Sequence, residues 1–164
     1  MRSALSIGLA LLLVGGCGFH LRTYDLQGSV ATASVTGSNR NPLTEPLKRA
    51  LRGAGVTVVD SAQDADLRID LLNERSSRRS VSVTSQARAA EYETTLAIQY
   101  AVRSGSEQML IEPRWVQTSR VFQVDRDNLV GASEEQSLLE REMVNDLIGQ
   151  VIRSLNAASE GGAT

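Results

Sequence analysis

Polar and apolar positions alternate most regularly between residues 92 and 102. One side of this segment collects aromatic and aliphatic residues with one threonine, and the other collects small or polar residues, which is the period of two of a β-strand. After the turn-forming sequence RSGSEQ, the sequence LIEPRWVQTSRVFQVD predicts a second strand, with Pro113 near its start where a missing N–H costs least. The short turn between them predicts an antiparallel hairpin.

Two other segments show the period of amphipathic helices. The first runs from Thr44, its expected N-cap, to about Arg52. The second runs from Ser133 to about Leu155, and Ser133 and Gln136 have the spacing of a capping box. The apolar stripes are Leu43, Leu47, Ala50, Leu51 and Ala54 in the first helix and Leu139, Met143, Val144, Leu147, Ile148, Val151, Ile152 and Leu155 in the second.

The remaining strands have less regular patterns. Residues 30–36 are rich in β-branched side chains and predict a strand, whereas residues 56–60 predict only a short extended segment. A further alternation begins at Leu67, but the polar sequence NERSSRRS at 73–80 interrupts it. One long strand with a solvated middle or bulge competes here with a strand that ends in a loop. We favour the long strand, reaching a hairpin near residues 84–88.

These elements follow one another in the order β-α-β-β-β-α. Each helix has one apolar and one charged side, so each covers a sheet from one side only. We therefore predict an α+β fold, a two-layer sandwich in which both helices lie on one face of a four-stranded mixed sheet. A crossover connection makes the first strand parallel to the second. The other face of the sheet is expected to be polar without heavy charge, which suits either water or a partner.

The N-terminus has the pattern of an export signal. Arg2 precedes an uncharged, mostly aliphatic run at residues 4–14, which is about half of the roughly 20 residues that a spanning helix needs. The sequence VGGC that follows resembles a bacterial lipobox, whose cysteine is lipidated after cleavage. Cys17 is the only cysteine of the chain, so it is the predicted lipid anchor, and several acyl chains would make anchoring stable. Gly18 after it favours the outer membrane.

These boundaries divide the chain into four parts. Residues 1–16 form the predicted signal peptide and residues 17–29 a lipidated tether. Residues 30–156 form one α+β domain, and residues 157–164 a disordered tail. The domain is large enough to bury a hydrophobic core of its own.

Charge and composition exclude several functions. The chain has 17 Lys and Arg residues against 19 Asp and Glu residues, which argues against a nucleic-acid-binding face. The only histidine, His20, lies three residues from the lipid anchor without a fixed partner, and the chain contains no hydrolase, Walker or zinc signature. We therefore predict no enzyme, no metal site and no cofactor other than the covalent lipid at Cys17.

Four arginines between residues 75 and 88 are the candidate binding residues. Guanidinium groups bind phosphate oxygens with two parallel hydrogen bonds, so Arg78, Arg79 and Arg88, with Arg75 nearby, could bind an anionic lipid headgroup. Alternatively, they form a solvated edge strand that charge protects from aggregation. The aromatic residues Tyr92, Tyr100 and Trp115 are expected in the core or half-buried in the sheet.

Four short sequences, CGFHLR at the anchor, AEYE, RVF and EEQ, together resemble the LPS-assembly lipoprotein family, LptE. The resemblance covers the chain from Cys17 to about Leu155, although Thr23 and Tyr24 replace the glycine that commonly follows the anchor motif. It implies a lipoprotein on the periplasmic side of the outer membrane that plugs the lumen of the β-barrel LptD and helps to move lipopolysaccharide to the outer leaflet. The polar lumen of such a barrel suits a small polar sandwich. The alternative is an envelope lipoprotein that binds anionic lipid without a barrel partner.

The family is also credited with lipopolysaccharide binding through basic loop residues at one end. This chain departs from that pattern, because the loop NLVGAS before the last helix has no basic residue. Ser85, Gln86 and Ala87 occupy the predicted hairpin, and Arg88 is the nearest cation. Arg88 is therefore the position that the resemblance assigns to lipopolysaccharide, whereas Arg78 and Arg79 come from the residue pattern.

Overall fold

The computed structural model describes residues 30–38, 40–83, 89–123 and 129–161. In this part of the chain, five strands form one mixed sheet in the order β2-β1-β3-β4-β5. β1 is parallel to β2 and β3, whereas β3, β4 and β5 form an antiparallel meander. The elements are β1 (Thr32–Thr36), α1 (Thr44–Gly53), β2 (Thr57–Val58), a 3₁₀ turn (Ala62–Asp64), β3 (Leu67–Val83), β4 (Ala89–Ser104), β5 (Met109–Gln123) and α2 (Leu129–Gly161).

The predicted α+β class is confirmed. The predicted second strand, which begins at Leu67, is β3 in the structure, and its parallel pairing with β1 is confirmed. The strand count is corrected from four to five, because Thr57 and Val58 add β2 to the outer edge of β1. Two residues are too few for a period of two to be recognised, so the sequence indicated an extended segment there and no strand.

One hydrophobic core lies between the sheet and the two helices. Leu47 and Leu51 of α1 are fully buried, and each large apolar side chain removed from water contributes about 1.5–3 kcal/mol. Tyr100 of β4 is also fully buried, and its hydroxyl lies 2.6 Å from the hydroxyl of Ser154 on α2. The sheet contributes Ala33, Val35, Leu67, Ile69, Leu71, Leu96, Ile98, Tyr100, Val102, Ile111 and Val116, and α2 contributes Met143, Leu147, Ile148, Val151, Ile152 and Leu155.

The competing interpretations of residues 73–80 are decided in favour of one long strand. β3 continues through this polar stretch and pairs with β4 along its whole length, but the register shifts between Leu71 and Asn73. The extra residue, Leu72, is 45% exposed. Because successive side chains of a strand alternate between faces, this bulge exchanges the faces to which odd and even positions point. The predicted hairpin residues 84–88 lie outside the described residues.

α1 begins at Thr44 as predicted, but both predicted N-caps are wrong. The N-cap of α1 is Leu43, without a side-chain capping bond, and the turn is closed instead by Asn41, whose carboxamide oxygen accepts the backbone N–H of Leu43 at 2.9 Å. The predicted cap Ser133 lies inside α2, four residues after its start, and its carbonyl accepts the hydroxyl of Ser137.

The C-terminal end of the chain is also corrected. α2 continues to Gly161, so residues 157–161 of the expected disordered tail are helical. Residues 162–164 lie outside the described residues, as do the predicted signal peptide, residues 1–16, and the tether, residues 17–29.

Candidate functional site

The alternation of side chains along β3 places the predicted arginines on two faces of the sheet, and the bulge decides which of these faces the helices cover. Arg78 is opposite Thr94 on β4. Thr94 is four positions from the buried Ile98 on the same strand, so Arg78 lies on the face that the helices cover. Arg75 and Arg79 lie on the other face, which we call the helix-free face. Arg88 and the lipidation site Cys17 lie outside the described residues. The predicted binding residues Arg78 and Arg79 therefore do not form one site.

Arg78 stacks on two aromatic rings. Its guanidinium carbon lies 4.1 Å from the ring centre of Tyr92 and 4.6 Å from that of Phe122. The two rings stack on each other with their centres 6.0 Å apart. Cation–π stacking uses the faces of a guanidinium and leaves its N–H groups, which point outward in its plane, available to an anion. Arg78 can therefore still bind a phosphate.

Arg79 is engaged differently. Its Nε donates to a carboxylate oxygen of Glu93 at 2.5 Å, directly across the strand pair. This ion pair compensates the charge of Arg79 on the helix-free face. A pair of this kind on a surface fits the alternative interpretation, a protected strand, better than it fits a lipid-binding residue.

Arg75 stacks on Trp115 of β5, with the guanidinium carbon 4.3 Å from the ring centre. Trp115 is half-buried, as expected from the sequence. Sequence reasoning did not associate these two residues, since only the position of the bulge brings Arg75 to the face on which Trp115 lies. A period-of-two pattern read through residue 72 without a bulge would place Arg75 towards the helices.

Polar side chains surround this pair on the helix-free face. The carboxamide of Asn73 donates to that of Gln99 at 2.7 Å, and the hydroxyls of Thr95 and Ser119 lie 2.8 Å apart. Ala97, which is opposite Arg75, is the small residue between these pairs. The face is polar, as predicted, but the expectation that it lacks heavy charge is wrong. The charged residues on it are Arg68, Asp70, Arg75, Arg79, Glu93 and Arg103.

The other arginines on this face have carboxylate partners. Arg103 donates to Asp70 at 3.2 Å, and Arg68 pairs with Glu107 at the turn between β4 and β5. Among the described residues, Arg75 forms no ion pair, and its contact is with the indole ring.

The described ranges contain no group of three or more His, Cys, Asp or Glu side chains arranged to hold a metal ion. Within the same ranges, no helix combines the length and the apolar character needed to cross a membrane.

The fold resembles solved lipoprotein structures. Rare lipoprotein B from Shewanella oneidensis superposes with a TM-score of 0.70 at 22% identity, over 81% of this chain and 99% of that one. Lipoprotein B from Nitrosomonas europaea gives a TM-score of 0.70 at 20% identity, over 89% of this chain and 94% of that one. At such identities these structures establish a shared fold.

Sequence comparison establishes the family. The chain is 31% identical over 154 residues to the LPS-assembly lipoprotein LptE of Pectobacterium atrosepticum, which covers 92% of this chain and 83% of the relative. It is 29% identical to the LptE of Yersinia enterocolitica, over 92% of this chain and 73% of that relative. The family model described as LptE, lipopolysaccharide-assembly, matches residues 29–155. That match spans all five strands of the described residues and most of α2, so the chain belongs to the LptE family.

Proposed function

We propose that this protein is an outer-membrane lipoprotein, anchored through lipid on Cys17, that acts as the partner and plug of an LptD-type β-barrel in lipopolysaccharide assembly. The observation that carries the proposal is the family match over residues 29–155, which takes in the whole sheet. The relatives of the chain are named LPS-assembly lipoproteins, and we extend that role to this protein.

The surface of the domain supports a position inside a barrel. The lumen of an outer-membrane barrel is polar. The helix-free face offers hydrogen-bonded polar pairs, such as Asn73 with Gln99, and ion pairs, such as Arg79 with Glu93. A face of this composition can lie against a polar lumen wall without leaving a large apolar patch in water.

The proposed role is non-enzymatic and needs no cofactor beyond the lipid. The arginines and aromatic rings of the described sheet are suited to binding and have no general base among them that is held against a nucleophile. The protein would thus contribute a shape and a binding surface to the assembly.

The first test is the isolation of the lipidated protein with its partners. An affinity-tagged full-length form is extracted from its own membranes with detergent, and the co-purifying proteins are identified and quantified by mass spectrometry. We expect one large β-barrel at near-equal stoichiometry. Recovery of the lipoprotein alone would contradict the plug. In the matched variant Cys17→Ala, we expect metabolic labelling with palmitate to disappear, and retained label would contradict lipidation at Cys17.

A second candidate function, binding of the anionic headgroup of lipopolysaccharide, rests on Arg78. Within the described residues this guanidinium has aromatic partners and no carboxylate partner. Arg78 lies near the C-terminal end of β3, and Arg88 follows that strand in the sequence. Stacked arginines of this kind combine a fixed orientation with free N–H donors.

The test of this candidate compares two arginines that differ in their partners. We expect Arg78→Glu to weaken lipopolysaccharide binding at least about tenfold, a change of about 1.4 kcal/mol, and Arg78→Glu with Arg88→Glu to weaken it further. Arg79→Glu is the matched control, because Arg79 is paired with Glu93 on the other face. Equal affinities of the Arg78 and Arg79 variants in a titration would remove this candidate.

A further inference from the structure

The pairing of β3 with β4 is fixed to different degrees along the strand. At Leu67, Ile69 and Leu71, alternate side chains of β3 are buried, so a slip by one residue there would move them out of the core. Residues 73–79, NERSSRR, include no apolar residue, and each of them is exposed. A segment that is polar on both faces has no buried side to hold its register. We propose that residues 73–79 exchange between the observed register on β4 and a second register that differs by one residue.

Two bulges in β3 border this segment and allow the exchange. The pairing shifts between Leu71 and Asn73 and again between Ser80 and Ser82, and at both places β3 has one residue more than β4. The second register arises when the extra residue moves from the first bulge to the second, so that Leu72 enters the ladder and Ser80 leaves it. Bulges with more than one extra residue occur in sheets. The pairs before and after the segment keep their places, so the exchange stays local.

The second register preserves the contacts of two neighbouring arginines by exchanging their roles. In the observed register, Arg79 is opposite Glu93 and forms an ion pair with it. Arg78 stacks on Tyr92 and Phe122. A shift by one residue places Arg78 opposite Glu93 and Arg79 opposite Tyr92. One arginine can then again form the ion pair while the other stacks on the rings.

The serines before the arginines are interchangeable in the same way. Ser77 is opposite Thr95 in the observed register, and Ser76 is opposite Thr95 in the second. Because residues 76–79 read SSRR, each face of the sheet receives one serine and, two residues later, one arginine in both registers. These doubled residues make the two registers similar in energy over this part of the strand.

Two contacts exist in the observed register alone and make it the more stable one. The carboxamide of Asn73 donates to that of Gln99 at 2.7 Å, and Arg75 stacks on Trp115. The shift removes both contacts, since Asn73 moves opposite Ile98 and Arg75 moves to the face that the helices cover. The second register is therefore the minor state. A partner that contacts only one face of the sheet would select the register whose charges it fits, because binding stabilises the state that it prefers.

Disulfide trapping in the folded protein tests the exchange. In the variant Ser77→Cys with Thr94→Cys, the substituted side chains point to opposite faces in the observed register and are opposite each other in the second. Cysteines that point apart cannot be bridged without movement of the backbone. The full mature lipoprotein, whose Cys17 thiol the proposed lipid blocks, is oxidised with diamide well below its unfolding temperature. Disulfide-linked peptides are quantified over time by mass spectrometry.

The matched control is Thr95→Cys with Thr118→Cys. These residues also point to opposite faces of two adjacent strands, but the buried residues Leu96 and Val116 fix the register of β4 on β5 there. We expect the disulfide of the test variant to form at least about tenfold faster than that of the control, since residues 73–79 lack a buried side. Equal rates would show that both bonds form through general opening of the sheet and would overturn the proposal.

A second measurement observes the exchange without added cysteines. Trp115 is the only tryptophan of the chain, and Arg75 stacks on it in the observed register alone, so the fluorine NMR signal of a fluorinated tryptophan reports the register. We expect exchange broadening of this signal in the unsubstituted protein. Deletion of Leu72 removes the extra residue and keeps residues 73–79 in their observed pairs, so the broadening should disappear. A signal that is equally broad or equally sharp in the two proteins would overturn the proposal.

Discussion

At the scale of single residues, Asp66 connects β1 to the segment that precedes β3. Its carboxylate accepts the backbone N–H and the hydroxyl of Thr32, both at 2.9 Å. The backbone N–H of Asp66 in turn donates to the hydroxyl of Thr32 at 2.9 Å. The hydrogen bond from the backbone N–H of Thr32, and after it the one from the hydroxyl, lower the pKa of Asp66 below its ordinary value of 3.8.

This lowered pKa predicts an acid-dependent loss of stability. A carboxyl group whose folded-state pKa is depressed stabilises the fold above its unfolded pKa, and the contribution is lost as the pH falls through the folded pKa. We expect Asp66→Asn, which resembles the protonated acid, to unfold at a lower temperature than the unsubstituted protein at pH 7. The difference should disappear once the pH is well below 3.8. Thermal unfolding between pH 2 and 7 measures it, with the exposed Asp60→Asn as the control. A difference that persists at the acidic end would contradict the assignment.

At the scale of elements, β5 is the long edge strand of the described sheet, and α2 covers part of its edge. The carboxamide of Gln150 donates to the carbonyl of Gln117 at 3.2 Å. The guanidinium of Arg120 donates to the carbonyl of Ser119 at 3.0 Å and is held by Asp146 of α2. Side chains thus occupy backbone acceptors that an edge strand would otherwise present to another chain.

Removing this cover should have two measurable effects. We expect Arg120→Ala with Gln150→Ala to lower the free energy of unfolding by about 1–3 kcal/mol, as for two hydrogen bonds and one partly exposed ion pair. We also expect increased self-association of the folded protein in sedimentation velocity, since the edge of β5 is open to pairing. Lys48→Ala, which breaks the ion pair with Glu45 on α1, is the control away from this edge. A double variant that remains as monomeric as this control would contradict the protective role.

The elements also show which features a sequence can predict. The alternation between residues 92 and 102 predicted β4 because no bulge interrupts this segment, so even positions point to one face and odd positions to the other throughout. The capping-box spacing at Ser133 failed as a helix start, since Ser and Gln at that spacing also occur inside a helix when apolar residues before them extend it. The bulge at Leu72 has no local signature, and it decides that Arg75 and Arg79 lie on the helix-free face and Arg78 on the face that the helices cover.

At the scale of the whole molecule, the family, the class of the fold and the single layer of helices follow from the sequence. The amphipathic pattern of a helix indicates which of its sides is buried. A crossover connection makes the two strands that it joins parallel. The stacking of Arg75 on Trp115 joins residues 40 positions apart through two strand pairings and one bulge. Such a contact depends on register, which a single sequence does not specify where both faces of a strand are polar.

The position of β1 between β2 and β3 has a consequence for the order in which the chain folds. A chain that emerges N-terminus first, from a ribosome or an export channel, presents β1 before either of its neighbours. β2 contributes two paired residues, and β3 begins at Leu67, 31 positions after the end of β1 at Thr36. The meander of β3, β4 and β5 closes through short connections, which are the faster contacts to form. The first strand to be synthesised is therefore among the last to find its long partner, and until then its edge is the part of the polypeptide that a chaperone would need to shield.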